Sequence, residues 1–377
     1  MIEKVEFRYL NEEDMLKAGV DDMHQCMKSI QEMFVLLHDK DYRMGGEHGN
    51  EHGIRVSFPK TTEIEGMPTH APDRRFMTMP AYLGGRFHMF GIKSYGSNPR
   101  NSEKGLPRSI LMMTLMDVET GIPLAYMSAN ILSAMRTGAA AGIGAKYLAK
   151  KGAQVLSIIG PGTMARYAMK AFMETQHDIN KLKIKGRGEK NIQYFIQYCK
   201  KHFPQIQEYV ICDTEEEACR ESDIIYYGTT NALRYEDNPK VKYEWIKEGA
   251  LIISVSALLA ETSFLAKENV QLVADNYQMY QDWGEGKTLP TQKTVSTLLG
   301  MGFFDAVSEK KISRDQIDDI GDIICGYRPG RKDDKKIILY AVGGMPIEDV
   351  AWAYDCYKVA KEKNIGIQLK LWDKPEI

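Results

Sequence analysis

The stretch SIIGPGTMARYAMKAF, residues 157–172, decides how this chain is expected to fold. An apolar, strand-like run enters a glycine turn and leaves it with the apolar spacing of a helix. The pattern G-x-G-x-x-A allows a tight turn at its first glycine, backbone approach to a pyrophosphate at its second, and close helix–strand packing at its small third residue. It predicts a dinucleotide site, with a structural glycine turn as the alternative. The predicted loop residues are Gly160, Gly162, Thr163, Met164 and Ala165.

The segments after this loop predict a parallel sheet. Six apolar runs lack polar alternation, as buried parallel strands do. They are QVLSIIG (154–160), KLKIKG (181–186), EYVIC (208–212), DIIYYGTT (223–230), ALIISVSA (250–257) and VQLVADN (270–276). In open α/β sheets ligands bind at the carboxyl ends of strands. We therefore add Thr229, Thr230, Val255 and Ser256 to the predicted cofactor-binding residues.

The end of the second of these strands predicts which dinucleotide is bound. An acidic residue there binds the 2′-hydroxyl of NAD, whereas an arginine accommodates the 2′-phosphate of NADP. The chain reads KLKIKGRGEKN at 181–191, with no acid at the strand end and Arg187 after Gly186. This favours NADP(H) over NAD(H), with Arg187 as a cofactor-binding residue. A solvated basic turn is the alternative.

The segments before the glycine loop have a different pattern of predicted helices and strands. Apolar residues at helical period predict a helix that ends near Asp39. Short strand-like runs follow at 54–58, 75–82, 86–95 and 109–117, and the turn VETG (118–121) predicts a hairpin to IPLAYMSA (122–129). An alanine-rich helix (133–152) leads to the central sheet. Near the other chain end, KKIILYAVGG reads as a strand and PIEDVAWAYDCYKVAKEKN as an amphipathic helix.

Several motifs in order give the chain a family resemblance. They are GIKSYGSNP (91–99), GLPRSILMMTLMDVETGIPLAYMSANILSAMRTGAAAGIGAKYLA (105–149), IIGPGTMA (158–165) and VGGMPIEDVAWAYDCYKVAKEKNIGIQLKL (342–371). With these, the chain resembles the ornithine cyclodeaminase/mu-crystallin family. The resemblance implies an α/β fold: a central Rossmann dinucleotide-binding domain (146–311), and an α+β substrate and dimerisation domain built from both chain ends (1–145 with 312–377). It also implies conversion of amino acids through imines with a nicotinamide cofactor, by cyclodeaminases, ketimine reductases or amino-acid dehydrogenases.

The resemblance also implies site residues. Lys93 matches the family lysine beside the reacting carbon, and Arg136 matches an arginine that binds the substrate carboxylate. A guanidinium holds a carboxylate bidentately, and a lysine exchanges a proton when its pKa is lowered. A surface lysine and a structural ion pair are the alternatives. A second family arginine follows the first long helix; Arg43 is the favoured match and Arg55 the competing one. Asp349 matches a family position and reads most simply as an acid at a helix start.

Two departures from the family pattern bear on the reaction. Leu258 occupies the place of the catalytic aspartate, with Glu261 as the nearest acid, and Met77 replaces a glutamate. Cyclisation of ornithine needs acidic groups around the distal amine and is therefore disfavoured. We expect hydride transfer between NADPH and an imino acid with an apolar or differently charged side chain. A cyclodeaminase that uses Glu261 and a non-catalytic NADPH-linked binding protein are the alternatives.

Composition limits the partners and the compartment. The 377 residues carry a formal net charge of -2, which argues against a nucleic-acid partner, and hold no apolar stretch of membrane-spanning length. Six scattered cysteines indicate reduced thiols in a cytoplasm. His48 and His52 lie in a glycine-rich run that favours a polar substrate loop over a metal site. The expected partners are a small amino or imino acid and a second copy of the chain.

Overall fold

Strands and helices alternate along the chain in the computed structural model, which describes residues 4–71, 74–232 and 234–376. The strands are β1 (Val5–Leu10), β2 (Tyr42–Met44), β3 (Ile54–Val56), β4 (Arg75–Leu83), β5 (Met89–Ser97), β6 (Ser109–Met116), β7 (Pro123–Ser128), β8 (Val155–Ile159), β9 (Lys181–Lys185), β10 (Glu208–Ile211), β11 (Ile224–Tyr227), β12 (Lys240–Val241), β13 (Leu251–Ser254), β14 (Leu259–Ala260), β15 (Val270–Ala274), β16 (Ile317–Asp319), β17 (Ile337–Ala341) and β18 (Ile367–Trp372). The helices are α1 (Glu12–Lys17), α2 (Met23–His38), α3 (Asn130–Leu148), α4 (Thr163–Thr175), α5 (Glu189–His202), α6 (Glu215–Cys219), α7 (Thr262–Leu265), α8 (Tyr277–Gly284), α9 (Thr291–Thr294), α10 (Leu299–Ser308), α11 (Ile320–Ile324) and α12 (Pro346–Glu362).

One unit is formed by both chain ends, up to Arg136 and from Met345 onward. Its sheet has the order β18-β1-β7-β6-β5-β4-β2, with β3 also paired to β4. The pairing is antiparallel except between β1 and β7. Helix α12 packs on β4 and β5 and against α2. Inward residues of β4 such as Met79 and Leu83 are buried, as expected from the period of two along a strand with one covered face.

The other unit runs from Thr137 to Gly344 and contains a parallel sheet of order β10-β9-β8-β11-β13-β17-β15-β16. Strands β11 and β13 are buried at every position, since helices cover both faces of such a sheet. The order 3-2-1-4-5 in its first five strands is that of the Rossmann fold. The predicted α/β class is confirmed. Of the helices in the described part of the chain, none is long and apolar enough to cross a membrane.

The unit boundaries differ from the predicted ones. Strand β17 lies between β13 and β15, and β16 pairs with β15, so residues 312–344 belong to the parallel sheet unit. The predicted boundary at 311/312 is therefore corrected to 344/345. At the other end the division falls at 136/137, within α3, rather than at 145/146. The local pattern of a strand does not reveal which sheet it joins, and KKIILYAVGG was assigned to the wrong one.

Candidate functional site

Four buried charged side chains from three elements meet in the unit formed by the chain ends. The Nζ of Lys93, on β5, donates to Asp349 Oδ2 at 2.6 Å and to Ser133 Oγ at 3.2 Å. Arg136, on α3, donates from Nε to Asp349 Oδ1 at 3.0 Å and from Nη1 to Glu348 Oε2 at 2.8 Å. We call Lys93, Arg136, Glu348 and Asp349 the charged cluster. Its two cations and two anions balance.

Local sequence explains why these side chains point inward. Lys93 lies on the same strand face as Gly91, whose missing side chain leaves room for Val350 of α12. Glu348 and Asp349 lie in the first turn of α12, where the helix dipole favours acids, and both are completely buried. Glu348 Oε1 also accepts the backbone N–H of Met345 at 3.2 Å. The carboxylates are therefore fixed by the helix start and turned toward the cations.

Burial governs the protonation of the charged cluster. Burial and, to a smaller extent, the nearby Arg136 together lower the pKa of Lys93 to about 8, against the opposite effect of Asp349. Burial also disfavours the charged forms of Asp349 and Arg136. Their mutual attraction outweighs it, so the pKa of Asp349 lies below its usual value and that of Arg136 above. The site thus holds two fixed carboxylates, a permanent guanidinium and one amine that titrates near neutral pH.

The favoured second arginine, Arg43, lies on the sheet face opposite to that of Lys93. Side chains directly opposite each other in an antiparallel pair share a face, and neighbours along a strand alternate. Arg43 lies opposite Tyr82, which lies opposite Phe90, three residues from Lys93. Arg43 and Lys93 are therefore on opposite faces. The Arg43 guanidinium is exposed and donates to the backbone oxygens of Lys40 and Tyr42, the latter at 2.6 Å.

The competing match, Arg55, is placed on the Lys93 face. It lies opposite Met77, which lies opposite Tyr95, two residues from Lys93. Arg55 is exposed, and its side chain forms no hydrogen bond or ion pair within the described part of the chain. We therefore prefer Arg55 to Arg43 as the candidate second arginine. The sequence spacing fitted both, and only the strand register separates them.

The glycine loop has the geometry of a phosphate-binding turn. Gly160 has a φ of 94°, and a Cβ there would lie 2.6 Å from the backbone oxygen of Gly228, so only glycine fits. Gly162 is the N-cap residue immediately before α4, and a Cβ there would meet nothing within 4 Å. Thr163 and Met164 form the first turn of α4, and Ala165 is completely buried. The open space at a helix N-terminus is where a pyrophosphate binds, and these residues fit a dinucleotide.

The other predicted cofactor residues lie at the same edge of the parallel sheet. Thr229 follows β11, and its N–H donates to Ser256 Oγ, after β13, at 2.9 Å. Val255 donates to the backbone oxygen of Tyr227, and Thr230 is exposed. Arg187 is exposed one residue beyond the turn that ends β9. The structure thus brings the strand ends together around the glycine loop.

Two acidic positions have roles that the sequence pattern did not reveal. Asp349 is the joint partner of Lys93 and Arg136 rather than only a helix-start acid, and Glu348 holds Arg136. The only feature of the sequence that indicates these roles is a pair of acids at the start of an otherwise apolar helix. Leu258 is buried, while Glu261 is exposed at the start of α7 and accepts Ser263 Oγ at 3.2 Å. Neither provides a buried acid.

The loop with the two histidines shows no metal-binding arrangement. Residues 46–49, which include His48, form turns and bends rather than a helix. Histidines four apart share a face only on a helix. Across residues 4–71, 74–232 and 234–376, no group of three histidine, cysteine or acidic side chains could hold a metal ion.

The chain matches a known protein family over most of its length. Residues 20–364 match the ornithine cyclodeaminase/mu-crystallin family. N-((2S)-2-amino-2-carboxyethyl)-L-glutamate dehydrogenase of Staphylococcus aureus is 30% identical over 97% of this chain and 99% of its own. Alanine dehydrogenase of Archaeoglobus fulgidus is 34% identical over 78% of this chain and 83% of its own.

Two solved structures have the same fold as this chain. Thermococcus litoralis Delta(1)-pyrroline-2-carboxylate reductase, in complex with NADH and L-proline, superposes with a TM-score of 0.75 at 25% identity, over 96% of this chain and 100% of its own. An archaeal alanine dehydrogenase dimer with bound NAD gives 0.74 at 28% identity, over 98% of this chain and 100% of its own. The resemblance that the motifs indicated is confirmed.

Proposed function

The chain belongs to the ornithine cyclodeaminase/mu-crystallin family, and from this premise we propose an NADP(H)-dependent oxidoreductase that transfers a hydride between nicotinamide and the Cα of an amino acid or its imine. The names of its relatives, dehydrogenases and reductases of amino and imino acids, support this class. The enzyme is an NAD(P)-dependent oxidoreductase that acts on CH–NH or CH–NH2 groups. NADP and the physiological substrate are the finer parts of the proposal.

The observation that carries the proposal is the buried ammonium of Lys93. Since its pKa is lowered to about 8, both protonation states are accessible near neutral pH, as proton exchange requires. Asp349 and Ser133 fix the ammonium by hydrogen bonds. When bound, the nicotinamide supplies or accepts the hydride. Lys93 gives a proton to the imine nitrogen during reduction and takes one from the amine during oxidation.

Two guanidiniums suit the substrate carboxylate. Arg136 uses Nε and Nη1 for the carboxylates of the charged cluster, and Nη2 lies 3.5 Å from Ser133 Oγ. A guanidinium has five N–H donors, so it keeps donors for a further carboxylate. Arg55 offers a second guanidinium on the same sheet face as Lys93. Together they orient the Cα of the substrate.

NADP is the proposed carrier because the strand that reads the adenosine ribose ends without an acid. Lys185 ends β9, and Gly186 and the exposed Arg187 follow. A guanidinium there suits a 2′-phosphate, whereas NAD requires an acceptor for its 2′-hydroxyl. The similar solved structures contain NAD or NADH, so the proposed NADP preference rests on this strand end alone.

The proposed enzyme works as a homodimer. The sheet face opposite Lys93 exposes Ile54, Val56, Phe76 and Ile110, with exposed fractions of 62%, 56%, 56% and 47%. Contiguous apolar patches of this kind mark protein interfaces. A similar archaeal alanine dehydrogenase is described as a dimer. A dimer in sedimentation analysis that dissociates in Phe76→Glu would support this assembly, and a wild-type monomer would contradict it.

A cytoplasmic location is part of the proposal because of the cysteines. All six are free, and five of them are buried. Burial raises the pKa of the Cys26 and Cys356 thiols well above the usual value, which keeps them protonated and unreactive. Such thiols are typical of a reducing compartment.

The direct test is NADPH oxidation with a panel of imines. We would supply cyclic imino acids, and 2-oxo acids together with ammonia or primary amines, and follow the loss of NADPH absorbance. Oxidation with at least one class supports the proposal. Ammonia release from L-ornithine without net change in NADPH would instead indicate a cyclodeaminase. Binding of NADPH with no oxidation across the panel would indicate a binding protein.

A further inference from the structure

A short segment of the parallel sheet unit carries two of the predicted cofactor residues. Residues 255–258 connect β13 to β14 at the carboxyl edge of the sheet, and we call them the connecting segment. Val255 N–H donates to the backbone oxygen of Tyr227 at 3.1 Å, and Ser256 Oγ accepts the N–H of Thr229 at 2.9 Å. The first half of the connecting segment is therefore held by β11 and the residue that follows its end.

The second half of the connecting segment is held by a different part of the chain. Leu258 N–H donates to the backbone oxygen of Thr297 at 3.0 Å, and Ala257 forms an isolated antiparallel bridge with Leu298. The backbone oxygen of Leu258 accepts a hydrogen bond from Gln292 Nε2 at 3.0 Å. Both backbone polar groups of Leu258 are therefore paired, one of them by a side chain.

The carboxamide of Gln292 is buried and serves two carbonyls. Gln292 is 5% exposed, and its Nε2 also donates to the backbone oxygen of Leu298 at 3.1 Å. An amide NH2 has two donors, so it can satisfy both carbonyls. A Cβ at Gly302, on α10, would lie 3.0 Å from the carboxamide. The glycine therefore leaves the space that the Gln292 side chain occupies.

An aspartate on α10 fixes the backbone from which this carboxamide extends. Asp305 Oδ2 accepts the N–H of Gln292 at 2.9 Å, and Asp305 Oδ1 accepts both the N–H and the hydroxyl of Thr291 at 2.6 Å. Asp305 and Thr291 are buried. Hydrogen bonds to a carboxylate are stronger than those between neutral groups. The backbone and the side chain of Gln292 are therefore both fixed within the protein itself.

The connecting segment lies where the nicotinamide half of the cofactor is expected. A Rossmann sheet binds one mononucleotide on each side of the point at which its strand order reverses. The end of β9 reads the adenosine ribose, and the glycine loop after β8 receives the pyrophosphate. Strands β11 and β13 lie on the other side of β8. The end of β13 therefore belongs to the nicotinamide half.

We propose that Gln292 is a positioning residue, which holds the connecting segment in the arrangement that binds the nicotinamide half of the cofactor. The proposal rests on the proposed function and adds to it a residue that acts through the backbone of Leu258. A segment that is already fixed loses little conformational freedom on binding, so more of the interaction free energy is kept as affinity. Loss of the carboxamide should therefore weaken binding of the nicotinamide half and leave the adenosine half unaffected.

The test compares two ligands that share the adenosine half. NADP⁺ contains both mononucleotides, whereas adenosine 2′,5′-bisphosphate lacks the nicotinamide one. Calorimetric titration of the full chain gives the Kd of each. In Gln292→Met the Kd for NADP⁺ should rise about tenfold, the equivalent of one hydrogen bond, with no change for the bisphosphate. An unchanged Kd for NADP⁺, or an equal rise for both ligands, would overturn the proposal.

A milder variant covers the case in which Gln292→Met does not fold. Gly302→Ala keeps every hydrogen-bonding group and forces the carboxamide to move by a few tenths of an ångström. Alanine is favoured over glycine inside a helix, so α10 should form normally. The Kd for NADP⁺ should rise about threefold, half of the free energy of one hydrogen bond, and the bisphosphate should bind as before. Wild-type affinity for NADP⁺ in this variant would contradict the positioning role.

The matched control is Gln271→Met. Gln271 is 3% exposed, and its Nε2 donates to the backbone oxygen of Gly330 at 2.8 Å and to Asp318 Oδ2 at 3.1 Å. It is the second residue of β15 and so lies toward the amino end of the sheet. Gln271→Met should lower the free energy of unfolding without a change in either Kd. A loss of NADP⁺ affinity equal to that in Gln292→Met would show that any buried carboxamide has this effect, and would overturn the proposal.

The outcome is separable from that of the proposed function. A wild-type chain that binds neither NADP⁺ nor NAD⁺ would overturn the oxidoreductase and, with it, this role of Gln292. Wild-type binding of either dinucleotide, with the same Kd in Gln292→Met, would leave the oxidoreductase standing and remove Gln292 from it. NAD⁺ and ADP form the equivalent pair of ligands if the chain binds NAD⁺ rather than NADP⁺.

Discussion

The charged cluster differs in construction from the glycine-loop edge, which is formed by residues 160–165 and by Thr229 and Ser256 at the neighbouring strand ends. The charged cluster consists of side chains from three elements far apart in the sequence, all buried and tied to one another. The glycine-loop edge consists of backbone and small residues, and its key position, Gly162, faces open space. One region fixes charges before a ligand arrives, and the other leaves room for a ligand's charge. Substitutions should therefore damage the two regions differently.

The largest effect is expected from Lys93→Met. Removal of a positioned proton donor typically lowers turnover by about 10²- to 10⁴-fold. NADPH affinity, measured by fluorescence titration, should stay near the wild-type value because the glycine-loop edge is untouched. Near-normal kcat would remove Lys93 from the mechanism.

The pH profile is the control for that substitution. The pKa of Lys93 is lowered to about 8, so the protonated form needed for imine reduction disappears above that pH. Log kcat/KM for reduction should fall by about one unit per pH unit there, and the oxidation rate should rise through the same range. Arg136 and Asp349 lie beside the amine, and their mutual attraction keeps both of them charged across this window. A flat profile between pH 7 and 10 would contradict the assignment.

Asp349→Asn should lower the free energy of unfolding more than the same substitution of an exposed aspartate does. Removing one partner of a buried ion pair costs about 3–5 kcal/mol in free energy of unfolding. Here the substitution leaves both Lys93 and Arg136 without that carboxylate. Chemical denaturation gives the change. Asp237→Asn, which breaks an exposed pair with Arg234, is the matched control and should leave stability almost unchanged.

Arg55→Met and Arg43→Met test the register that separates the two arginines. Loss of a charged hydrogen-bond partner should raise KM for the amino or imino acid about 10- to 100-fold in Arg55→Met. Arg43→Met should leave KM unchanged, since Arg43 lies on the other face. The reverse result would restore the preference based on sequence spacing.

Gly160→Ala and Gly162→Ala separate folding from binding at the glycine-loop edge. Gly160→Ala combines a positive φ with a backbone clash and should cost about 1–3 kcal/mol or more in stability. Gly162→Ala should fold normally, because its Cβ meets nothing, yet weaken NADPH binding by filling the space near the pyrophosphate. If Gly162→Ala binds NADPH as wild type does, the nucleotide does not approach there.

Arg187→Ala should give the smallest effect. The exposed guanidinium should contribute about tenfold to the preference for NADPH over NADH, the equivalent of one charged hydrogen bond. Kd values for both cofactors measure the ratio. Comparable affinity for both, unchanged by the substitution, would show that the chain does not select NADP through this residue.

The sequence predicted the two regions unequally. The glycine loop and the strands at 155–159, 181–185 and 251–254 are local patterns, and each is found where expected. The face that Arg43 or Arg55 occupies depends on pairing across three strands, which a one-residue slip would reverse. The partner of Lys93 is 256 residues away. No local spacing identifies such a contact, and the sequence around Asp349 indicates only an acid at a helix start.

The separation of Lys93 and Asp349 in the sequence also determines when the charged cluster can form during synthesis of the chain. A ribosome releases β5 and α3 long before α12, at about 5–20 residues per second, so Lys93 and Arg136 emerge without the carboxylates that balance them. The parallel sheet unit is already synthesised by then, since it ends at Gly344. The charged cluster therefore forms only after α12 has been synthesised. A chain that stalls before Pro346 lacks both carboxylates and cannot form it.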